Sequence, residues 1–228
     1  MLKKLNNIGD SGIICDFGND VNQSINNEVI KLFQYIKKQI KLGNFEGILN
    51  CTPSYNKLLI NFDLKITSNK KIFNLINSIE FSKLKLIQDK KEWKIPICYD
   101  LEMDLTNMSN ELKIKKEEII KIHKQTTFFI YMVGFMPGHP FMGDLDSKVF
   151  LNRLITPRVK VPAGSVGIVE KFCNIYPYES PGGWNIIGRT PIKLFNNQKE
   201  TQPCLLSPGD TVKFNSISKE EFDNFNNE

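Results

Sequence analysis

The sequence predicts an α+β protein with two domains, a small α/β sandwich followed by an all-β domain. Two apolar patterns with helical spacing alternate with strand-like runs through residues 1–99. From Thr127 onward, aromatic and β-branched runs alternate with Gly and Pro about every eight to twelve residues, which is typical of short strands and tight turns. The length of 228 residues exceeds that of a typical single domain and allows each part its own core.

The first predicted element is a short strand over residues 11–17, after which Gly18, Asn19 and Asp20 favour a turn and a helix cap. A helix follows and ends near Gly43, because its apolar residues recur every three or four positions and so share one face. These residues are Val21, Ile25, Val29, Leu32, Phe33, Ile36 and Ile40.

Residues 47–51 and 57–62 are predicted to be the strands of a hairpin, since the residues between them favour a turn. A second amphipathic helix is predicted over 70–79 and a further strand over 92–99. The order βαββαβ favours a ferredoxin-like sandwich of two helices on an antiparallel sheet. We therefore expect the first domain to span residues 1–99.

Residues 100–126 are expected to form a helical connector, with Asn107 or Ser109 as the helix cap. The all-β domain is expected to follow over residues 127–218. The polar and charged tail, from Asn215 to Glu228, is expected to fray.

The composition, with 41% hydrophobic and 24% charged residues, is that of an ordinary globular protein. The net charge of +5 comes from scattered lysines, so we expect no nucleic-acid partner. No export signal is visible, and no run approaches the roughly 20 apolar residues of a membrane-spanning helix. The sequence therefore predicts a cytoplasmic protein with no membrane partner.

The chain has five cysteines, no CxxC pair and two histidines, which argues against disulfides and against a metal site. The cysteines lie among apolar neighbours, so we expect buried structural thiols and not a nucleophile. These residues are Cys15, Cys51, Cys98, Cys173 and Cys204.

Residues 134–143 hold three glycines and two prolines and predict a rigid loop with exposed N–H groups that could bind a small anion. A tight barrel corner is the structural alternative. His139, in this loop, is a candidate for proton transfer near neutral pH. His123, in the connector helix, is expected to be structural.

Two further segments carry candidate site residues. Arg158 and Lys160 are two apart and would share a face of an extended strand, where they could receive a carboxylate or phosphate. A solvated surface is the alternative. In residues 176–190, Gly182 and Gly183 could expose backbone donors, while Trp184 could wall a pocket or belong to the core. The remaining candidates there are Glu179 and Arg189 for acid–base or charge-clamp roles, and Ser180 for substrate binding.

Taken in order, these segments resemble the B-subunit family of ATP-dependent 5-oxoprolinase, also called allophanate hydrolase subunit 1. The family includes a sporulation-kinase inhibitor and is related to the carboxyltransferase region of urea carboxylase. The resemblance covers nearly the whole chain and implies a small α+β domain followed by a cyclophilin-like β-barrel. It rests on IPICY at 95–99, the segment around His123, GFMPGHPFMGDLD at 134–146, TPRVKVPAGSVGI at 156–168, YPYESPGGWNIIGRT at 176–190 and LLSPGD at 205–210.

The resemblance implies the ATP-driven opening of 5-oxoproline to L-glutamate by this chain with subunits A and C. The chain has no GxxxxGK[ST] motif, so we expect it to bind no cofactor and to be inactive alone, with ATP used by the complex. Arg158 and Arg189 would then hold anionic oxygens, the backbone of Gly182 and Gly183 would donate, and Glu179 or His139 would transfer protons. The family usually has an aromatic or aliphatic residue at the position of His139, so the family supplies no role for it.

Two alternatives of other classes stay open, the first of which follows from the same resemblance. One is a regulator that binds a sensor histidine kinase and blocks its autophosphorylation. The other is a prolyl isomerase, which rests on fold analogy alone. The sequence also leaves open whether the substrate is 5-oxoproline or a related cyclic or urea-like amide.

Overall fold

The computed structural model describes residues 2–86 and 90–225. The chain divides after residue 89 into two compact units. This division precedes the strand predicted over 92–99, whereas the boundary predicted from the sequence follows that strand. Within the described residues, no helix is both long enough and apolar enough to cross a membrane.

The first unit is a four-stranded antiparallel sheet with two helices. The order of strands across the sheet is β1-β2-β4-β3. Both predicted helices are present, and each begins at a capping side chain, Asn22 for the first and Ser68 for the second. The elements are β1 (Lys4–Ile8), β2 (Gly12–Asp16), α1 (Gln23–Lys41), β3 (Ile48–Pro53), β4 (Lys57–Phe62) and α2 (Asn69–Asn77).

The ferredoxin-like arrangement is only partly present in this unit. Its fourth strand is β1, at the start of the chain, and not the strand predicted over 92–99. Strand β1 was not predicted, because this edge strand has the polar sequence KLNNI and leaves all five of its residues partly or fully exposed. An edge strand exposed on this scale lacks the apolar alternation that predicts a strand.

The second unit contains a seven-stranded sheet and a separate two-stranded ribbon. The order of strands across the sheet is β12-β9-β10-β7-β6-β13-β5, and the ribbon pairs β11 with β8. The strands are β5 (Glu92–Ile97), β6 (Phe128–Val133), β7 (Pro140–Gly143), β8 (Arg158–Val161), β9 (Ser165–Val169), β10 (Phe172–Ile175), β11 (Ser180–Gly182), β12 (Asn185–Arg189) and β13 (Thr211–Ser216).

The seven-stranded sheet forms a nearly closed barrel. Its two edge strands meet where the backbone of Cys98, just beyond β5, exchanges two hydrogen bonds of 2.8 and 3.0 Å with that of Arg189. The strand predicted over 92–99 is therefore part of the barrel, where it pairs in parallel with β13. Ile95 and Ile97 of this strand are buried in the barrel core, which explains its place there.

Residues of the predicted connector also belong to the second unit. They form two helices, α3 (Leu105–Leu112) and α4 (Lys116–Gln125), whose apolar residues Met108 and Ile119 lie in the barrel core. The cap of α3 is Asp104, and not Asn107 or Ser109 as predicted. The Asp104 carboxylate accepts hydrogen bonds from outside the helix, while Glu102 accepts from the first helical N–H at 2.8 Å.

The predicted fraying of the tail is wrong for residues 215–225. Strand β13 continues to Ser216, and a fifth helix, α5 (Lys219–Phe225), follows it with Phe222 buried. The sequence does carry a signal for this helix that the prediction did not use. Ser218 and Glu221 form a capping box, and Phe222 and Phe225 are three residues apart. Residues 226–228 of the predicted tail lie outside the described residues.

His123 is a core residue, as predicted. Its Nδ1 lies 2.7 Å from the Tyr99 hydroxyl and its Nε2 lies 3.7 Å from the Cys173 sulfur. Burial lowers the pKa of His123 from 6.5 to about 3, so the ring is neutral at physiological pH. All five cysteines are free thiols; four are buried, as expected, and Cys204 is half-buried.

Candidate functional site

A second, smaller cluster of buried side chains lies on the face of the barrel sheet opposite the main core. Alternate residues of a strand point to opposite faces, so Val166 and Ile168 of β9 enter the main core while Ser165 and Gly167 face outward. On this outer face Val161 of the ribbon packs with aromatic and aliphatic side chains of the sheet. The cluster consists of Val161, Tyr176, Trp184 and Ile186, with Met136, Phe141, Val169 and Phe172 packed against it.

His139 enters this outer layer from the Gly- and Pro-rich loop. Its ring is buried and stacks on Phe141 with ring centroids 4.7 Å apart. Its Nε2 lies 3.1 Å from the Asn174 side-chain amide nitrogen. Burial lowers the pKa of His139 from 6.5 to about 4. The imidazole is therefore neutral at pH 7. Because its Nε2 accepts from the Asn174 amide, its proton is on Nδ1.

Three buried polar atoms in this layer have no hydrogen-bond partner among the described residues: His139 Nδ1, Asn174 Oδ1 and Ser165 Oγ. Buried polar atoms in folded proteins are almost always paired with protein, water or ligand. All three belong to residues on the outer face, and Asn174 also lies beside His139. This pattern is typical of a site that receives water or a polar ligand.

Tyr176 lies at the centre of these polar groups. Burial raises the pKa of its hydroxyl, while the Asn174 side chain, the Trp184 backbone N–H and the guanidinium groups of Arg153 and Arg158 act in the opposite direction. The hydroxyl also lies against Gly182, where a Cβ atom would come within 2.3 Å of it. Gly182 therefore has to be glycine for this hydroxyl to occupy its place.

Arg158 is held by a buried carboxylate. Its Nη2 donates to Asp104 Oδ1, and the other oxygen of Asp104 accepts the Ile186 backbone N–H at 2.6 Å. The Asp104 side chain is only 1% exposed, whereas the Arg158 side chain is 24% exposed. Arg158 Nη1 is buried and has no hydrogen-bond partner among the described residues. We call His139, Asn174, Tyr176 and Arg158 the outer polar cluster.

The structure brings Arg158, His139, Gly182 and Trp184 of the predicted site together. Trp184 is buried, in agreement with the alternative that it belongs to the core, and it also forms a wall of the cluster. The Arg153 guanidinium carbon lies 5.9 Å from the centroid of the Trp184 ring.

The other predicted site residues engage different partners. Arg189 donates to the Ala163 carbonyl at 3.0 Å, and its guanidinium lies 5.5 Å from the Phe222 ring. Lys160 and Glu179 pair with each other at 3.2 Å, and both side chains are exposed.

The two remaining candidates show only local contacts. Ser180 Oγ lies 3.5 Å from the Pro181 carbonyl oxygen. The Gly183 carbonyl accepts the Leu154 N–H at 2.8 Å, and Gly183 lies near Pro157.

Sequence reasoning missed Asp104, Arg153, Asn174 and Tyr176. Asn174 is an amide within an otherwise apolar run, FCNIY, which could have marked it as a buried polar residue. Asp104 directly precedes α3, where an acidic side chain is expected to cap the helix. Its position in the sequence therefore gives no sign that it pairs with a distant arginine. In the part of the chain that the structure describes, no group of three or more His, Cys, Asp or Glu residues could hold a metal ion.

Comparison with known proteins identifies the family. The model described as the carboxyltransferase domain, subdomains C and D, matches residues 3–206. The chain belongs to this family. It is 32% identical to the 5-oxoprolinase B subunit of Bacillus subtilis over 96% of this chain and 95% of that relative. It is 43% identical to the 5-oxoprolinase B subunit of Haemophilus influenzae over 53% of this chain and 57% of that relative. The resemblance to the B-subunit family is thus confirmed.

A solved structure shows the same fold within a longer chain. The crystal structure of TTHA0988 matches 92% of this chain with a TM-score of 0.80 and 28% identity. The match covers 40% of that chain, so the present protein spans less than half of its length.

The outer polar cluster gives this member of the carboxyltransferase family groups suited to amide and carboxylate chemistry. Guanidinium groups bind carboxylates through paired hydrogen bonds. An amide and a phenol can each donate or accept a hydrogen bond at a carbonyl. A neutral imidazole has one N–H that can donate a hydrogen bond. Together these groups could bind a small acid that carries an amide.

Proposed function

We propose that the chain is the B subunit of an ATP-dependent 5-oxoprolinase, which opens 5-oxoproline to L-glutamate together with subunits A and C. The observation that carries this proposal is the 32% identity to the 5-oxoprolinase B subunit of Bacillus subtilis across nearly the full length of both proteins. The outer polar cluster supports it, because 5-oxoproline combines a carboxylate with a cyclic amide.

In this proposal Arg158 binds the carboxylate of the substrate. Its Nη1 is the unpaired arm of a guanidinium that Asp104 holds on the other side. Arg153 and Arg158 both act on the Tyr176 hydroxyl, so Arg153 would add to the positive charge around the bound carboxylate. Asn174 and Tyr176 would then contact the lactam, where the unpaired Asn174 Oδ1 would accept the ring N–H.

The reaction needs activation because a lactam is stabilised by resonance. Transfer of the γ-phosphoryl group from ATP to the lactam oxygen, on a partner protein of the complex, makes the ring carbon electrophilic. Water then adds to that carbon, a proton passes from the added water to the ring nitrogen, and the ring C–N bond breaks. Hydrolysis of the resulting acyl phosphate by a second water releases glutamate and phosphate.

Reconstitution tests the proposal. This chain is combined with subunits A and C of the same organism, and glutamate release from 5-oxoproline and ATP is measured with each protein omitted in turn. We expect release only when all three are present. Absence of release from folded partners would overturn the proposal and would favour regulation of a sensor histidine kinase or another amide substrate.

A further inference from the structure

The side-chain amide of Asn174 contacts two other members of the outer polar cluster. Asn174 lies in β10 and is only 1% exposed. Its amide nitrogen lies 3.1 Å from Nε2 of His139. The same side chain forms a hydrogen bond with the hydroxyl of Tyr176, which is two residues further along the chain. Residues two apart in an extended chain point to the same face, so these contacts share the outer face of the sheet.

The position of Gly167 indicates how this amide is oriented. Gly167 of β9 is paired with Asn174 in the sheet. A Cβ atom at Gly167 would come within 2.8 Å of Asn174 Oδ1, so the amide oxygen lies against this glycine. The amide nitrogen therefore lies on the side of His139 and Tyr176. It carries two hydrogens and accepts none, so it can donate to both groups at once.

This arrangement makes His139 a hydrogen-bond donor. A neutral imidazole has one nitrogen that accepts and one that donates. Because Nε2 accepts from Asn174, the proton lies on Nδ1, which is buried and has no hydrogen-bond partner among the described residues. The ring also stacks on Phe141, with an angle of 15° between the ring planes, and this packing fixes the direction of the Nδ1–H bond.

The same amide makes Tyr176 a donor. The Tyr176 oxygen accepts hydrogen bonds from the Asn174 side chain and from the Trp184 backbone N–H, and these two bonds occupy its two lone pairs. The O–H of Tyr176 is therefore left to donate. The guanidinium of Arg158 acts on the same hydroxyl, and a guanidinium has no acceptor atom.

Three groups of the cluster thus present donors: Nδ1–H of His139, O–H of Tyr176 and Nη1 of Arg158. A set of donors selects a ligand group that only accepts, such as a carboxylate or the carbonyl oxygen of an amide. The Arg158 side chain is 24% exposed, so the cluster reaches the protein surface at this residue.

We infer that Asn174 is a positioning residue that holds His139 and Tyr176 as hydrogen-bond donors, and that these two side chains bind an oxygen atom of the substrate. This inference rests on the proposed function, in which the substrate is 5-oxoproline. The bound oxygen belongs to the carboxylate or to the lactam of that substrate, since both are acceptors. His139 then binds the substrate and does not serve as the general base at neutral pH.

The first test is ¹⁵N NMR of the imidazoles in the isolated full chain at pH 7. The chain has only two histidines, so His123, which contacts the Tyr99 hydroxyl, serves as an internal reference. We expect wild-type His139 to carry its proton on Nδ1. In Asn174→Asp the carboxylate can only accept, so we expect Nε2 of His139 to become protonated while the signals of His123 stay unchanged. A proton on Nε2 of wild-type His139 would overturn the inference without any variant.

A matched control is Asn185→Asp, which also replaces a buried amide by a carboxylate. The Asn185 amide donates to the carbonyl oxygens of Asn152 and Ile168, at 3.0 and 3.2 Å. Thermal unfolding first establishes that each variant is folded. The protonation of His139 should be that of the wild type in Asn185→Asp. Protonation of Nε2 in both variants would attribute the change to general destabilisation and would overturn the role of Asn174.

The second test measures kcat/KM for 5-oxoproline in the enzyme reconstituted with subunits A and C. We expect Asn174→Asp to lower kcat/KM by at least about tenfold, because the hydrogen bonds to the substrate oxygen are lost. 2-Pyrrolidinone, which has the lactam and lacks the carboxylate, is then tested as an inhibitor. A weaker inhibition of the variant than of the wild type assigns the bound oxygen to the lactam. Equal inhibition, or none of either enzyme, assigns it to the carboxylate.

The two tests separate failure of the inference from failure of the proposed function. An unchanged kcat/KM in folded Asn174→Asp would overturn the inference while the proposed function stands. Absence of glutamate release from the wild-type chain with folded subunits A and C would overturn the proposed function and the inference with it.

Discussion

Replacement of Asp104 by Asn removes the charge that holds Arg158 and leaves the side-chain shape nearly unchanged. The carboxylate is 1% exposed and accepts both the Arg158 guanidinium and the Ile186 N–H. The amide oxygen of Asn can still accept from Ile186, so the loss is confined to the charged hydrogen bond. Hydrogen bonds to charged groups contribute about 1.5–3 kcal/mol, and loss of one partner of a fully buried pair costs about 3–5 kcal/mol. Because Arg158 is partly exposed, we expect about 2 kcal/mol.

Urea denaturation of the isolated chain measures this loss. A matched control is Glu179→Gln, which breaks the exposed pair with Lys160 and should cost less than about 1 kcal/mol. A double-mutant cycle of Asp104→Asn with Arg158→Met should give a coupling energy above about 1 kcal/mol. If Asp104→Asn costs no more than Glu179→Gln, or if the cycle shows no coupling, Asp104 does not hold Arg158 as we argue.

Three other perturbations test separate parts of the account. Gly182→Ala should destabilise the fold by about 1–3 kcal/mol in urea denaturation, because the added Cβ would lie 2.3 Å from the Tyr176 hydroxyl. The matched control, Gly183→Ala, should be nearly neutral in the same assay, because its Cβ would meet nothing nearer than 3.6 Å. The free energy of unfolding should fall as pH drops below about 6.5, by about 1.4 kcal/mol per pH unit for each buried histidine. The reason is that both histidines bind protons in the unfolded state at these pH values, whereas in the folded state the pKa values of His123 and His139 are only about 3 and 4. His139→Gln should make this decline shallower between pH 6.5 and 4, and an unchanged slope would show that His139 is not buried as a neutral ring. Arg158→Lys should lower kcat/KM for 5-oxoproline by at least about tenfold in the reconstituted enzyme, because Lys lacks the second arm that would reach the substrate, and an unchanged kcat/KM would remove Arg158 from the proposed site.

Much of the fold could be predicted from local patterns. Both helices of the first unit follow from apolar residues at helical spacing, and the hairpin follows from the turn between its strands. The pairing of β5 could not be predicted this way, because strand patterns do not specify a partner. Its place was decided by the burial of Ile95 and Ile97 against a strand that begins much later in the chain, at Thr211.

The site was predictable to the extent that its residues have unusual local sequence. His139, Arg158 and Gly182 come from Gly- and Pro-rich segments that attract attention in the sequence alone. Asp104 and Tyr176 do not, because each acquires its role from a contact with a distant segment. Arg189 lies in an equally unusual segment, yet its side chain donates to the Ala163 carbonyl and contacts Phe222. Local composition thus marks constrained segments, while tertiary contacts decide which residues of those segments meet.

The most direct test of the account is to titrate the purified chain into fixed amounts of subunits A and C and to measure the rate of ATP-dependent glutamate release from 5-oxoproline. We predict that the rate is negligible without the chain, rises in proportion to it and saturates at a fixed ratio of the three proteins. A rate that does not depend on the added chain, or no glutamate at any ratio, would contradict the central claim that this protein is an essential part of the enzyme.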